Sequence, residues 1–583
     1  MIQNNRIKQT DPVDEKEELF ARLLADEGFE LSSASAIKPA NKISDIPLSF
    51  AQQRLWFLNQ LEPESASYNI SFAVLVLESL DILSLEQSLN EIVRRHSVLR
   101  TTFPSVEGSA IQSVAQHLRL PVKVVDLCGL AESKQHAEVR ALAAAHGQRI
   151  FELAEGPLLA VALLRLNRNA HVMLLTMHHI VSDEWSRSIL LGEIASLYEA
   201  VASGNPSPLA ELYIQYADFS IWQRDWMRGE TLQLQLEYWK TQLAGLSPLQ
   251  MPTDKPRPLV QRHKGSVHSF SLGENLTNAL KEVCEKESAT MFMTLLAIFD
   301  LLLYRHSGQD DIAVAVPTAN RNRIEIESLI GFFVNTLVFR CGLSNVNTFR
   351  DLLRLVRSLS LEAYSHQDLP FEKLVEQLQP DRDLSRHPLA QVAFDFHNVR
   401  MPALRLSGLT LKPLEAPCAN VKFDLELHLI EESGELLGSF LFDADLFDNT
   451  TIHRLSEHFR RMAEAITKEP QSRLFELEML SASERHHLLV ETNDSFEDFP
   501  LHLTIVDLID AQVEHTPDRV ALIFDQQQVT LGQLNSDANR LANYLCGEGV
   551  GPESIVGLYF ERCPEMMVAI LGVLKAGGAY LPL

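Results

Sequence analysis

The stretch that decides the fold is His171–Ser186, HVMLLTMHHIVSDEWS. Its apolar run Val172–Met177 has the length of a β-strand, and apolar residues recur with helical spacing from Trp185 to Tyr198. The pair His178-His179 therefore falls at a strand end. Asp183 falls where the next helix begins, a position at which aspartate accepts hydrogen bonds from free backbone amides. The segment predicts a strand-to-helix turn that carries two histidines and an aspartate.

The geometry of a strand constrains what the two histidines can do together. Successive strand side chains point to opposite faces, so we expect one imidazole beneath the sheet and the other in a cleft. Such a pair cannot easily bind one ion, and no metal site is predicted. The sequence contains no G-x-S-x-G elbow, P-loop or zincin motif. A histidine without a covalent nucleophile fits proton transfer with an amine or hydroxyl, although spacing alone leaves a structural role equally open.

The whole chain is long, ordinary in composition and acidic. Its 583 residues are 46% hydrophobic and 22% charged, which excludes collagen-like, coiled-coil and wholly disordered proteins. Lys and Arg number 51 against 77 Asp and Glu, giving a net charge of −26, so nucleic acid is not an expected partner. No apolar run approaches the roughly 20 residues that span a bilayer. The first residues are polar, and the cysteines are scattered without CxxC spacing, so we expect a cytoplasmic protein with no membrane span.

Helical and strand-like stretches alternate along most of the chain and predict an α/β (α+β) protein with several parts. The central region is too long for one simple core, so we expect two lobes. The leader contains a short amphipathic helix, Asp14–Glu27, which is either a docking helix for an upstream protein or a helix folded back on the main body. The last part resembles an open α/β unit that ends on a single strand without neighbours, so it is expected to be cut short. The predicted boundaries are 1–45 for the leader, 46–468 for the two-lobed domain (lobes about 46–225 and 226–468), 469–500 for a linker, and 501–583 for the truncated unit.

The motif HHIVSDEWS resembles the HHxxxDG signature of nonribosomal peptide synthetase condensation domains. Six further blocks of that family occur in the same order along the chain. They are Ser49–Leu58 (SFAQQRLWFL), Arg95–Phe103 (RHSVLRTTF), Tyr216–Gln223 (YADFSIWQ), Ile330–Leu337 (IGFFVNTL), His366–Val375 (HQDLPFEKLV) and Arg382–Phe394 (RDLSRHPLAQVAF). Seven ordered blocks over some 400 residues make a chance match implausible.

The last part of the chain resembles the beginning of an adenylation domain. Thr516–Leu522 (TPDRVAL), Val529–Leu534 (VTLGQL) and Leu574–Leu583 (LKAGGAYLPL) match that family's opening blocks. The later phosphate-binding loop and catalytic lysine of the family are missing, so no adenylation activity is expected from this part. Lys575 with Gly577-Gly578 is interpreted as a helix C-cap and turn in preference to a phosphate loop.

The resemblance implies a fold, a reaction and partners. Condensation domains resemble chloramphenicol acetyltransferase, with two lobes in a V and a tunnel between them. Upstream donor and downstream acceptor carrier proteins bring thioesters on 4′-phosphopantetheine arms, and the acceptor α-amine attacks the donor thioester to form an amide. We therefore expect an amide-forming acyltransferase of secondary metabolite biosynthesis that binds no cofactor of its own. Placing the reactants can be worth about 7–11 kcal/mol, whereas deprotonating an α-amine of pKa about 8 gains only about 1.4 kcal/mol at pH 7.

The resemblance also assigns roles to residues. His179 matches the family's second histidine, the catalytic residue, acting either as a general base or as a positioning group. His178 matches a packed structural histidine. Asp183 matches a structural aspartate that pairs with an arginine of the other lobe, here Arg321 in PTANRNR. The remaining residues expected to line the site are Glu184, Trp185, Ser186 and Asn335.

Glu184 departs from the family pattern, which has glycine at this position. Its carboxylate could raise the pKa of His179 or project into solvent from the first turn of the helix, where negative charge is favoured. The departure keeps open a catalytically silent docking or gating module of the same fold. A starter domain using a fatty-acyl donor, and acylation of a small diffusible amine or alcohol, are further alternatives. A second pair, His486-His487, lies in a charged helical stretch and is interpreted as a surface or interdomain feature.

Overall fold

The computed structural model describes residues 36–40, 45–379, 383, 385–397, 405–406, 409–414, 421–495 and 500–583. The predicted leader helix Asp14–Glu27 lies outside these residues. The chain divides into two compact units, Met1–Ser481 and Ala482–Leu583.

The first unit alternates helices and strands, as the sequence predicts. Its described helices are α1 (Phe50–Leu61), α2 (Ile82–Arg95), α3 (Glu132–Gly147), α4 (Glu184–Ala202), α5 (Tyr216–Trp226), α6 (Gly229–Gln242), α7 (Gly273–Lys286), α8 (Met291–Ser307), α9 (Ile324–Glu327), α10 (Phe349–Ser365), α11 (Phe371–Leu378) and α12 (Asn449–Lys468). Its described strands are β1 (Ile46–Pro47), β2 (Asn69–Leu77), β3 (Thr101–Thr102), β4 (Ser105–Val106), β5 (Ser109–Val114), β6 (Lys123–Asp126), β7 (Leu159–Asn167), β8 (Ala170–His178), β9 (Gly265–Ser271), β10 (Asp311–Thr318), β11 (Asn335–Gly342), β12 (Val392–His397), β13 (Arg405–Leu406), β14 (Leu409–Leu414), β15 (Leu425–Glu432) and β16 (Glu435–Asp443).

The first lobe is built on a six-stranded sheet of order β13-β14-β2-β8-β7-β6. Strand β8 is central and pairs antiparallel with both β2 and β7. Because both of its faces are covered, its residues from His171 to His178 are all buried, which explains the continuous apolar run in the sequence. One face packs on a large core that includes α2 and α4, and the other packs on a smaller core that includes Val139 of α3.

The second lobe is built on another six-stranded sheet, of order β11-β10-β12-β15-β16-β9. Strand β12 is parallel to both β10 and β15, whereas the remaining pairs are antiparallel. Helix α8 is the central helix of this lobe, since all its residues from Met293 to Leu303 are buried. Among the described residues, no single helix is long and apolar enough to span a membrane; α7 and α8 satisfy that test only as a pair, bent by 104°.

Two segments of the chain pair or pack with the lobe to which the boundaries predicted from the sequence do not assign them. Strands β13 and β14 come from the region assigned to the second lobe, yet β14 pairs with β2 of the first sheet. The segment after β10 also crosses, because Ile326, Leu329, Ile330 and Phe333 belong to the core of the first lobe. The lobes therefore share structure next to the His178-His179 turn.

The predicted linker begins with packed residues. Leu474 and Leu477 are buried in the core of the second lobe, and the guanidinium of Arg305 donates to the Leu474 carbonyl at 3.0 Å. In the second unit, the described helices are α13 (Ala482–Leu489), α14 (Ile505–His515), α15 (Leu531–Gly547) and α16 (Pro564–Lys575). Its described strands are β17 (Val520–Phe524), β18 (Gln527–Thr530), β19 (Ile555–Leu558) and β20 (Ala579–Pro582). Strands β17 and β18 pair antiparallel, and β19 and β20 pair parallel.

Two features interpreted from the sequence, the Lys575 turn and the pair His486-His487, lie in the second unit. Lys575 forms an ion pair with Asp510, and Gly577 has a positive φ of 80°, which fits a helix end followed by a turn. His486 and His487 have side chains that are 60% exposed, and both lie near the Glu491 carboxylate. This pair is a surface feature, as predicted.

Candidate active site

The His178-His179 turn is fixed by the strand that precedes it and the helix that follows. His178 is the last residue of β8 and lies opposite Asn69 of β2. The backbone N–H of His179 then donates to the Tyr68 carbonyl at 2.7 Å. A single 3₁₀ turn, His179–Val181, leads to Asp183, which caps α4 by accepting from the Ser186 N–H at 2.8 Å. The predicted strand, turn and N-cap are all present.

The ring of His179 is held by one of its two nitrogens. Nδ1 lies 2.9 Å from the Ser182 carbonyl oxygen. Because a carbonyl can only accept, Nδ1 carries the proton in the neutral ring and Nε2 carries the lone pair. The ring also packs edge-on against Phe332 of the crossing segment after β10, with centroids 4.8 Å apart. His179 thus presents a hydrogen-bond acceptor with a defined orientation.

The surroundings of His179 favour its neutral form. Its side chain is half-buried and enclosed by protein, and this desolvation lowers its pKa well below the usual value. The positive charge of Lys422 in the second lobe lowers that pKa further. The imidazole is therefore an acceptor at neutral pH.

His178 has a different environment. Its residue is 3% exposed, its Nδ1 accepts from the Ile180 N–H at 3.2 Å, and its ring meets Phe151 edge-on at a centroid distance of 6.4 Å. Burial lowers its pKa to about 4. His178 is hydrogen-bonded and packed, while also bordering a cavity of about 110 Å³ that includes Tyr68, His263 and Lys422.

Asp183 and Arg321 form a buried ion pair between elements of the two lobes. Their side chains are 0% and 1% exposed, and Nη2 of Arg321 lies 3.1 Å from Oδ1 of Asp183. The other carboxylate oxygen accepts from the Phe333 N–H at 3.1 Å. Nη1 of Arg321 donates to the carbonyls of Ile326 and Leu329 at 2.6 and 2.7 Å. The pair therefore fixes the crossing segment against the start of α4.

The other predicted site residues divide between this junction and the second lobe. Ser186 is fully buried, and its hydroxyl contacts Asp183 at 2.6 Å and the Gly331 N–H at 3.0 Å. Trp185 donates from its indole to the Glu327 carbonyl at 3.1 Å. Asn335 lies in the second lobe, further from the turn. Its side chain donates to the carbonyls of Gln367 and Leu369 at 2.7 and 2.8 Å and accepts from the backbone N–H of Phe371 at 3.0 Å. These contacts position backbone segments around the turn.

Glu184 projects from the first turn of α4 with a side chain that is 49% exposed. It forms an ion pair with Arg187 of the same helix. Partial burial raises its pKa, while the charges of Arg187 and His397 oppose the rise. The imidazoles whose pKa values Glu184 raises are His397 and His428 of the second lobe. The pKa of His179, by contrast, is lowered.

Several of the ordered blocks in the sequence meet at this turn for packing reasons. Gln52 of SFAQQRLWFL donates to the Ile180 carbonyl at 3.2 Å. Tyr216 of YADFSIWQ donates to the Phe332 carbonyl at 2.6 Å. Gly331 of IGFFVNTL leaves room for the Tyr216 ring, which a Cβ atom there would overlap. These blocks build the wall that supports His179.

Sequence reasoning missed Lys422 and Phe332 as neighbours of His179. Phe332 lies within IGFFVNTL, so the block itself pointed to the region. Lys422 lies just before β15, in a stretch that contains none of the family's sequence blocks. Only the packing of the two lobes brings its charge to the turn.

Comparisons with known proteins identify the family of this chain. The family model for the condensation domain matches residues 42–489, and the model for AMP-binding enzymes matches residues 509–583. Since the first match covers more than half of the sequence, the chain belongs to the condensation domain family. Its fold is the chloramphenicol-acetyltransferase-like fold of that family.

The relatives are nonribosomal peptide synthetases and condensation-type structures. A linear gramicidin synthase of Brevibacillus parabrevis is 44% identical over 548 residues, which are 94% of this chain and 7% of that protein. The crystal structure of the X-domain from teicoplanin biosynthesis has a TM-score of 0.71 and 26% identity, and the match covers 76% of this chain and 100% of the X-domain. A four-domain nonribosomal peptide synthetase has a TM-score of 0.75 at 23% identity, covering 95% of this chain and 42% of its own, which supports the fold alone. The chain spans a small fraction of the curated relatives it matches.

Proposed function

We propose that this chain catalyses amide-bond formation between a carrier-bound acyl or peptidyl thioester and the α-amine of an aminoacyl group on an acceptor carrier. The attacking nitrogen forms a bond to the thioester carbon, the carbon–sulfur bond breaks, and the proton lost by the amine ends on the leaving sulfur. The observation that carries the proposal is the oriented, neutral imidazole of His179 between the two lobes. The phosphopantetheine arms would come from the partner carriers.

The chemistry requires little from the protein beyond placement. A thioester is already activated, so the amine needs only to be neutral and correctly aimed. Nε2 of His179 can accept a hydrogen bond from the attacking amine, because Nδ1 is committed to the Ser182 carbonyl. The nearby positive charge of Lys422 disfavours a second cation, and so favours a neutral amine over an ammonium group.

A positioning role for His179 fits this electrostatic environment better than that of a strong base. Burial and Lys422 both destabilise an imidazolium at this position. Orienting the amine uses the neutral ring, whereas removing a proton would create the disfavoured cation. We therefore assign His179 the orientation of the attacking nitrogen. Asp183 and Arg321 are positioning residues that hold the wall around it.

A docking module of the same fold is the second candidate. The X-domain from teicoplanin biosynthesis, which this chain resembles, has a solved structure as a complex with OxyB. Glu184, where the family has glycine, is the feature of this chain that motivates the alternative. Such a module would keep the junction between the lobes and would bind a protein without forming product.

Reconstitution separates these functions and the starter variant. Purified chain is mixed with an aminoacyl acceptor carrier and, in parallel, fatty-acyl and dipeptidyl donor carriers, and intact mass follows the acceptor. Product with the dipeptidyl donor supports elongation, and product with the fatty-acyl donor alone supports a starter domain. If a chain with a normal melting profile yields no product from any donor across a panel of acceptors, amide formation is contradicted and the docking module is favoured.

A further inference from the structure

A second group of polar side chains lies on the second lobe, outside the His179 turn. Asp395 and His397 belong to β12, and His428 belongs to β15. Asp395 lies directly beside His428 in the parallel register, so their side chains share one face of the sheet. The opposite face of these strands is apolar, since Phe394 and Leu427 are both 0% exposed in the core.

The distances within this group match the requirements of a metal centre. The carboxylate oxygen and one nitrogen from each imidazole all lie within 4.8 Å of one another. Nε2 of His397 is 3.0 Å from Oδ2 of Asp395, and Nδ1 of His428 is 3.6 Å from the same oxygen. Ligands of a tetrahedral Zn²⁺ bound at about 2.0–2.1 Å are separated by about 3.4 Å. Small side-chain rotations would close the triangle around one ion.

The partner of the second nitrogen of His428 supports the same interpretation. Its Nε2 lies 3.1 Å from Oε2 of Glu426. The Glu426 side chain is itself fixed in position, because its Oε1 accepts a hydrogen bond from the backbone N–H of Lys422 at 3.0 Å. A carboxylate behind a ligating histidine is the usual outer partner of a metal-bound imidazole, where it fixes the ring and raises its basicity. Glu426 therefore aims Nδ1 of His428 at Asp395.

The group is open to an ion from solution. The side chains of Asp395, His397 and His428 are 20%, 38% and 27% exposed, so an ion from solution can reach them.

From these contacts we infer a binding site for a divalent transition-metal ion, with Asp395, His397 and His428 as ligands and Glu426 as the outer partner of His428. Nitrogen and carboxylate ligands of this kind suit Zn²⁺ and Co²⁺ more than Mg²⁺ or Ca²⁺.

Metal titration tests the site without any carrier or substrate. The full chain is treated with chelator, dialysed and titrated with Co²⁺, and visible d–d bands report coordination; competition with a chromophoric chelator then gives the Zn²⁺ affinity. We expect one tight ion per chain, at least tenfold weaker binding in Asp395→Asn and His428→Ala, and about 10–100-fold weaker binding in Glu426→Gln.

The matched control removes the exposed pair His486 and His487, which also lies beside a glutamate. His486→Gln combined with His487→Gln should leave the tight site unchanged. Circular dichroism of the metal-free variants checks folding, and Glu426→Gln keeps the test valid if His428→Ala fails to fold. The inference is overturned if the wild type binds no tight ion, or if folded Asp395→Asn and Glu426→Gln chains bind Zn²⁺ as tightly as the wild type.

Discussion

Replacing Asp183 by asparagine should destabilise the junction between the lobes far more than its small change in volume suggests. The substitution removes the charge that compensates Arg321, whose side chain is 1% exposed. Arg321 cannot turn to solvent, because its other nitrogen is bound to the carbonyls of Ile326 and Leu329. Removing one member of a buried pair typically costs about 3–5 kcal/mol.

The magnitude can be converted into a thermal shift. A lobe of roughly 200 residues loses about 2–4 °C of melting temperature per kcal/mol. Asp183→Asn should therefore lower the first unfolding transition by roughly 6–20 °C. Calorimetry of the full chain measures this shift, with Glu86→Gln as a control. Glu86 pairs with Arg119, whose side chain is 84% exposed, and such surface pairs contribute about 0–1 kcal/mol.

A double-mutant cycle completes the test. Asp183→Asn and Arg321→Gln each leave one partner unmatched, whereas the double variant leaves neither charge buried alone. The double variant should therefore be less destabilised than the sum of the two single variants. The reasoning that the pair holds the lobes together is refuted if the effects of the two single substitutions are additive. It is also refuted if the Asp183→Asn transition lies within about 1 °C of the wild-type transition, a shift far below the one expected for a lobe of this size.

The site supports three more predictions. Because burial gives His178 a pKa of about 4 in the folded chain, the unfolded chain takes up a proton at this residue first as the pH falls from 6.5 to 4. This difference removes up to about 3 kcal/mol from the free energy of unfolding. The urea midpoint of His178→Asn should therefore decrease less with falling pH than that of the wild type. Lys422→Met removes a positive charge that lowers the pKa of His179. The acid limb of the profile of product formation against pH should therefore move to higher pH. An acid limb at the wild-type pH would contradict the effect of Lys422 on the pKa of His179. Gly331→Ala should overlap the Tyr216 ring and cost about 1–3 kcal/mol, measured by denaturation against Gly342→Ala, where a Cβ meets nothing within 4 Å.

Local sequence signals predicted much of the turn that carries the histidines. The apolar run ending at Met177, the N-cap at Asp183 and the helix after it are short-range features, and the structure has all three. The choice of Arg321 as the partner of Asp183 came from the family resemblance. The structure contains that ion pair with both side chains buried.

Features that depend on long-range packing could not be predicted from the same signals. The pairing of β14 with β2 joins residues more than 300 positions apart, and no spacing rule indicates it. Lys422 reaches His179 only because the lobes meet. The group formed by Asp395, His397 and His428 depends on the parallel register of β12 and β15. Because these two strands are not adjacent in the sequence, the ligands do not form a sequence motif.

The most direct test of the central proposal is a single-turnover assay with the wild type, His179→Gln and His179→Ala. Each chain is mixed with loaded donor and acceptor carriers, and intact mass follows the new amide on the acceptor. The amide oxygen of Gln can replace Nε2 as an acceptor, so His179→Gln should retain more activity than His179→Ala, which should lose most product at an unchanged melting temperature. Wild-type rates in a folded His179→Ala chain would contradict the assignment of His179 to the reaction.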